Sequence, residues 1–341
     1  MSSTVRFIGE RRAGSLSLAP VKPHRDLLGD ELGEAPRHYS SSGVVVPFII
    51  FTAIWGSTWI VIRGQLGTVP PEWSVAYRFL IAAVAMAALS KWKGEKLRLG
   101  RKALPAAIFL GFAQFCVNFD AVYLAERHIT SGVVATVFAL LLIPSTLLAW
   151  ALLGQRPTSR FVWSSLVAVA GIALLFVHEL QEHASSARQV AAGIGLTFFG
   201  MLGASSANVA QARPEFRRFP LFALLAWSMA AGAAIDAAIA FSMTGPPVLD
   251  PRPIYWAGLF YLALAASVLT FSLYYPVIRK IGPAKTAYSS VIVPIIAMGF
   301  STWLENYRWT PLAIAGALLA LGGMAGALSR NRAQVSAPDA A

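Results

Sequence analysis

Charge is scarce in this chain: only 13% of its 341 residues are Asp, Glu, Lys or Arg, where a soluble domain carries about a quarter. With 56% hydrophobic residues and a mean hydropathy of +0.60, so little charge excludes an ordinary water-soluble fold. Cysteine is nearly absent too. The single Cys116 sits in an apolar stretch, which rules out a disulfide framework and a Cys-rich metal site. No apolar run carries two carboxylates at i, i+3 or i, i+4, and the five histidines (His24, His38, His128, His178, His183) lie in the tail or at outer loops. The converging acid, base and nucleophile of a membrane-embedded enzyme are therefore missing, and no catalytic residue or cofactor is assigned. "HELQEH" (178–183) offers donors for a weak metal site but reads as a solvated loop, so no metal is expected. There is no G-x-x-x-x-G-K-[ST] phosphate cradle, and hence no ATP motor. The net charge of +12 does not indicate nucleic acid, because the basic residues lie in short loops rather than on one face.

Long apolar runs are present instead. A helix crosses the hydrocarbon core in about 20 residues, and ten runs of that kind can be laid out: 44–63, 72–91, 104–124, 129–152, 160–178, 191–212, 219–242, 253–276, 283–303 and 309–329. Residues 1–43 lack an apolar core of signal-peptide length and are expected to be a disordered polar tail; 331–341 form a second short tail. With the N-terminus inside, 22 of the 28 lysines and arginines fall in cytoplasmic segments, and each of the five outer loops holds one. Basic loops stay cytoplasmic, so both termini are expected there. The remaining basic residue is Arg78, inside a span.

The second half echoes the first at an offset near 150. "FALLLIPSTLLAWALLGQRPT" (138–158) aligns with "YSSVIVPIIAMGFSTWLENYRWT" (288–310), setting Pro144 on Pro294, Gln155 on Glu305 and, after a two-residue insertion, Thr158 on Thr310. The expectation is an all-α polytopic membrane protein with two five-helix repeats, 44–188 and 189–330. An odd number of spans per repeat inverts the second copy, as in secondary transporters. Partners are then the lipid bilayer and a small-molecule substrate, with no nucleic acid, and the carrier is a monomer or homodimer.

"WGSTWIVIRG" (55–64), "PPEWSVAYRF" (70–79), a fourth span ending "LLGQR" (152–156) and the repeat in spans 6 to 10 together resemble the EamA-type permeases of the drug/metabolite transporter superfamily, over about residues 44–330. The resemblance implies ten helices around a central cavity, alternating access, an inner-membrane location, and traffic in amino acids, other metabolites or drugs, with efflux favoured over uptake. It departs from the usual pattern at Gln155, where Glu is common, and at "SSAN" (205–208), which stands for Trp-Gly. Uptake by the same fold and a non-transporting scaffold are the alternatives.

Charged and polar groups within spans are costly unless they face a cavity or a partner. Arg78 and Asp120 lie about 9 Å and 6 Å from the outer ends of spans 2 and 3 at 1.5 Å per residue, and Asp236 lies at similar depth on span 7. Arg78 is expected to line the outer cavity, with Asp120 as its first partner, gating the outside or gripping a carboxylate; snorkelling to the interface is the competing reading. Trp55 and Trp59 share a face of span 1 with Thr58 and Ile62. Asn118 on span 3 and Asn208 on span 6 are the preferred cavity amides, and Tyr274 and Tyr288 mark spans 8 and 9. Pro144 and Pro294 are expected to bend spans 4 and 9 as hinges, and Gly322 and Gly326 to form a close-packing surface on span 10.

Overall fold

The computed structural model describes residues 42–154, 156–182, 187–281 and 289–328. Every regular element among them is helical, as hydrocarbon demands of a backbone that must satisfy its own polar groups. Eight helices are long and apolar enough to cross a membrane: α1 (Gly43–Gln65), α2 (Pro71–Trp92), α3 (Arg101–Ala125), α4 (Ser131–Leu152), α5 (Ser159–Gln181), α6 (Ala187–Gln211), α7 (Leu221–Thr244) and α8 (Pro253–Val277). Two shorter apolar helices follow, α9 (Ser289–Leu304) and α10 (Pro311–Leu328); the expected spans there run beyond the described residues at 283–288 and 329. Gln155, Tyr288, residues 1–41 and the C-terminal tail also lie outside them, while Ser42 and Gly43, expected in the tail, are already helical.

Local chemistry sets the boundaries. Proline opens α2, α8 and α10 at Pro71, Pro253 and Pro311, where a missing N–H costs nothing. Two threonines cap helices alike: Thr158 Oγ1 accepts from Phe161 N at 3.2 Å, and Thr310 Oγ1 from Ala313 N at 3.2 Å. In α4 the turn Ala139–Leu141 tightens to a 3-10 helix ahead of Pro144. Pro144 has no N–H for the carbonyl of Leu140, and its ring crowds that turn. The hydroxyl of Ser205 on α6 leans in, 3.4 Å from the Leu141 carbonyl. Pro294 sits inside an uninterrupted α9.

Among the described residues two helices carry π-helical segments, Gly111–Val117 in α3 and Tyr261–Leu269 in α8. They begin 150 residues apart, at the offset of the sequence echo. The wider turn changes what the backbone offers: Ser267 Oγ donates to the Leu262 carbonyl, five residues back, at 2.9 Å.

The tightest pairings are α2 with α7 and α5 with α10. In the second, a Cβ on Gly171 would lie 2.3 Å from Ala320 N, and one on Gly323 would lie 2.5 Å from Ala168 N. The close approach therefore runs through Gly171, Gly316 and Gly323. Gly322, expected on that surface, has nothing within 4 Å of a Cβ position, and Gly326 meets only the side chain of Ser164. Apolar residues between helices are fully buried, Phe79, Met86, Leu140, Leu175 and Met201 among them, while Val84, Trp163 and Leu318 point outward.

Candidate functional site

Arg78 is 1% exposed, which overturns the snorkelling reading. Its Nε donates to Ser267 Oγ at 3.2 Å, and the π-helical segment of α8 supplies that oxygen. The guanidinium carbon stands 4.4 Å from the Phe119 ring centre and 5.2 Å from that of Phe79, close enough for cation–π attraction. The Tyr123 hydroxyl lies within electrostatic reach. Nη1 has no acceptor. The expected Asp120 partner is not there: no ion pair joins Arg78 and Asp120 among the described residues, because Asp120 turns toward Cys116 and Asp236 on the α7 side of α3.

An aromatic wall extends from this arginine. Phe79 meets Phe115, Phe115 meets Phe271, and Phe271 meets Trp55, with ring centres 4.9, 5.7 and 5.8 Å apart. Trp55 packs on Tyr274 at 4.9 Å and donates its indole N–H to the Ala266 carbonyl at 3.3 Å, again within the π-helical segment. Trp59 faces α4 through Phe138, and its buried Nε1 lacks an acceptor. Tyr275 joins Gln211 of α6 by a side-chain hydrogen bond. Asn118 is buried against α6, where a Cβ on Gly200 would lie 3.0 Å from its carbonyl oxygen, and its Oδ1 has no donor. Asn208 is half-buried on α6. Trp55, Tyr274 and Arg78 thus join one connected aromatic cluster, whereas Asn118 packs against α6.

Across α3 lies an acidic group. Asp236 is fully buried, and neither of its oxygens has a hydrogen-bond donor. The Cys116 thiol and one carboxylate oxygen each of Asp120 and Asp236 lie within 4.8 Å of one another. Three donors fall short of a closed four-ligand zinc site, so the group is read as an acid pair beside a thiol. Above it opens a vestibule of about 800 Å³ lined by Arg63, Glu72, Leu124, Arg127 and Thr244, among others.

That vestibule lies at the basic-poor end of the bundle, where loops tie the helices together. Glu305, at the end of α9, accepts from Ser131 N at 3.3 and 3.2 Å, from Ser131 Oγ at 2.5 Å and from Ser301 Oγ at 2.6 Å, with Arg63 3.6 Å away. A carboxylate at the start of α4 also meets the positive end of the helix dipole. Glu126 lies beside this cluster, fully buried with neither oxygen hydrogen-bonded. Burial pushes its carboxyl well above the ordinary value; the Glu305 charge adds to the rise, and Arg63 opposes it. Asp250 is gripped by Arg252 at 2.6 Å, and the guanidinium hydrogen bonds hold its carboxyl down at about 2. "HELQEH" is not simply a solvated loop: α5 continues through Gln181, and His178 and Glu179 are buried, with His178 Nδ1 2.9 Å from Thr310 Oγ1.

Sequence reasoning missed Glu126, Tyr123 and Phe119. Glu126 stands beside Arg127 and His128 and has the look of a loop acid. The two aromatics look like any core residue; only their position, Phe119 at about Arg78's depth and Tyr123 one turn further out, could have marked them.

The chain matches the EamA-like transporter family over residues 43–177 and again over 191–329. It is 26% identical over 270 residues to an uncharacterised inner membrane transporter of Escherichia coli K12, YedA, covering 76% of this chain and 84% of that one. It is 22% identical over 283 residues to an uncharacterised transporter of Bacillus subtilis, YoaV, covering 82% and 95%. A solved structure, described only as the crystal structure of a protein, shares the fold with a TM-score of 0.62 at 20% identity, over 85% of this chain and 97% of the other.

Proposed function

Because the chain belongs to the EamA-like transporter family, a branch of the drug/metabolite transporter superfamily, we propose that it is a multi-pass inner-membrane carrier that exports small carboxylate-bearing metabolites, amino acids foremost, by alternating access. The observation that carries the substrate class is Arg78. A buried guanidinium with no carboxylate partner among the described residues and an Nη1 without an acceptor is an unfilled half of a bidentate pair, and its planar fork suits a carboxylate. Trp55 and Tyr274 on the adjoining wall offer apolar faces for the rest of the molecule, and Trp59, Asn118, Asn208 and Tyr288 are further candidates for the pathway.

The architecture we favour has ten spans in two inverted repeats, 44–188 and 189–330, with both termini cytoplasmic. Several pairs support it at the same offset: the π-helical segments of α3 and α8, the prolines Pro70 and Pro220 that cap α2 and α7, and, two residues further along, the threonine caps. Helix contacts pair up in the same way. The packing of α1 on α8 and α9 mirrors that of α6 on α3 and α4. The break beside Pro144 supplies one hinge, and Pro294 is its proposed counterpart. Export as the direction rests on the family.

The test is uptake of pooled labelled amino acids into proteoliposomes, with and without an imposed pH gradient. Saturable uptake by the wild-type protein that is lost in Arg78→Gln supports the carrier and its site. Folded wild-type protein that moves nothing above empty liposomes refutes the substrate class.

A further inference from the structure

The mechanism above leaves unused the acid pair on the far side of α3. Two carboxylates with oxygens within 4.8 Å of each other cannot both ionise in a low-dielectric interior without a cation, because their repulsion is not screened. No Lys, Arg or His forms an ion pair with either one among the described residues. Asp236 is fully buried and points two undonated oxygens into the group, and Asp120 Oδ1 is likewise undonated. The Cys116 thiol, 3.8 Å from Asp120 Oδ2, is a weak donor and does not neutralise a charge. The smallest species that completes this site is a proton.

A route to it is also present. The vestibule at the basic-poor end is lined by Leu124, one turn from Asp120 on α3, by Thr244, two turns from Asp236 on α7, and by Glu72. Glu72 is 7% exposed and acts electrostatically on both aspartates. On the other side, Tyr123 is within electrostatic reach of both Asp120 and Arg78, so the acid pair, through Asp120, and the guanidinium act on one phenol. These are the titratable groups facing the pair: Glu72 from α2, Cys116 and Tyr123 from α3, with Arg78 beyond Tyr123. Apart from Asp236, α7 has no titratable side chain, and α6 has only Arg188 at its far end.

We propose that Asp120 and Asp236 share one exchangeable proton, reached from the basic-poor face through Glu72, and that this proton is the coupling ion of the carrier. The coupling clause rests on the transport function proposed above; the proton site does not. With one shared proton the pair carries a single negative charge, and the proton's departure adds a second one near Tyr123 and Arg78. That charge competes with a bound carboxylate for the guanidinium, which links the two sites.

The proton is measured directly, without any substrate, by infrared pH titration of the full-length protein in detergent, following the C=O stretch of protonated carboxyl groups. The wild type should keep one such band at neutral pH in addition to any that Glu126→Gln removes. Asp120→Asn and Asp236→Asn, each removing one carboxylate from the other, should both lower its midpoint by at least about one pH unit or abolish it. A band that responds only to Glu126→Gln, or no band at neutral pH, overturns the proton site. Glu72→Gln should slow exchange of the band into D2O applied outside proteoliposomes, and unchanged exchange overturns the route. Stoichiometric zinc binding that is lost in Cys116→Ala overturns the proton in favour of a metal. Should the band assign to the pair while gradient-driven uptake equals uptake without a gradient, coupling is overturned and the site stands. Absence of uptake under every condition instead refutes the carrier.

Discussion

The π-helical segments of α3 and α8 start 150 residues apart, yet they serve opposite charges. In α8 the segment presents the Ser267 hydroxyl to Arg78 and the Ala266 carbonyl to Trp55, two acceptors for donors from α2 and α1. In α3 the corresponding segment packs by backbone: a Cβ on Gly111 would lie 2.7 Å from the Ser228 carbonyl and 2.9 Å from Gly232 N, and Cys116 turns to the aspartates. The position matching Gly111 is Tyr261, whose hydroxyl lies 2.6 Å from Ser57 Oγ. One backbone device thus appears twice, and the side chains on it decide whether it docks a cation or closes on a neighbouring helix around acids. In lipid, where apolar surface gives helices little reason to associate, such close packing and hydrogen bonding carry the specificity.

The largest effect should come from breaking the α3 side. Gly111→Leu drives a side chain into the α7 backbone and should cost about 3 kcal/mol or more, read as loss of monodisperse protein in detergent, while Tyr261→Leu at the matching position should still fold. Next comes the cationic side: Arg78→Gln should weaken carboxylate binding by about 2 kcal/mol, roughly thirtyfold, measured by equilibrium binding, with Arg78→Lys recovering part because it keeps charge without the fork.

A pH experiment sharpens the acidic side. Glu126, just past the end of α3, has a folded pKa raised above its ordinary value, so the folded protein holds a proton that the unfolded chain releases. Stability is therefore full at low pH and falls as pH rises through the ordinary carboxylate range, until the folded protein ionises as well. Glu126→Gln should flatten that slope in a thermal melt series, with the variant gaining on the wild type at higher pH; parallel slopes would contradict the burial account. The smallest effect is expected from Tyr261→Phe, which removes one half-buried hydrogen bond and should cost about 1 kcal/mol.

Much of the bundle was legible in the sequence because hydrophobic length and loop charge are one-dimensional signals. Eight of the expected spans appear as long apolar helices, and the break at Pro144 follows from one missing N–H. The site was half legible. Arg78 stood out because a charge inside an apolar run is costly, but its partner did not. Depth along two helices was known and rotation around them was not, so Asp120 at matching depth turned to α7 while Ser267 on α8 met the guanidinium. The π-helical segments carry no sequence mark, and they change the rotation of everything after them. The same lack of rotational information put the close α10 surface on Gly322 and Gly326 rather than on Gly316 and Gly323. His178 and Glu179 read as loop residues because α5 outlasts its apolar run.

Arg78 is proposed as a carboxylate receptor inside the bundle. The most direct measurement is equilibrium binding of labelled amino acids to the purified protein, competed by the same amino acids and by their carboxamides, for wild type and Arg78→Gln. Displacement by the free acids but not by the amides, with binding roughly thirtyfold weaker in Arg78→Gln, is the predicted result. Equal displacement by acids and amides, or binding that survives the substitution unchanged, would contradict it.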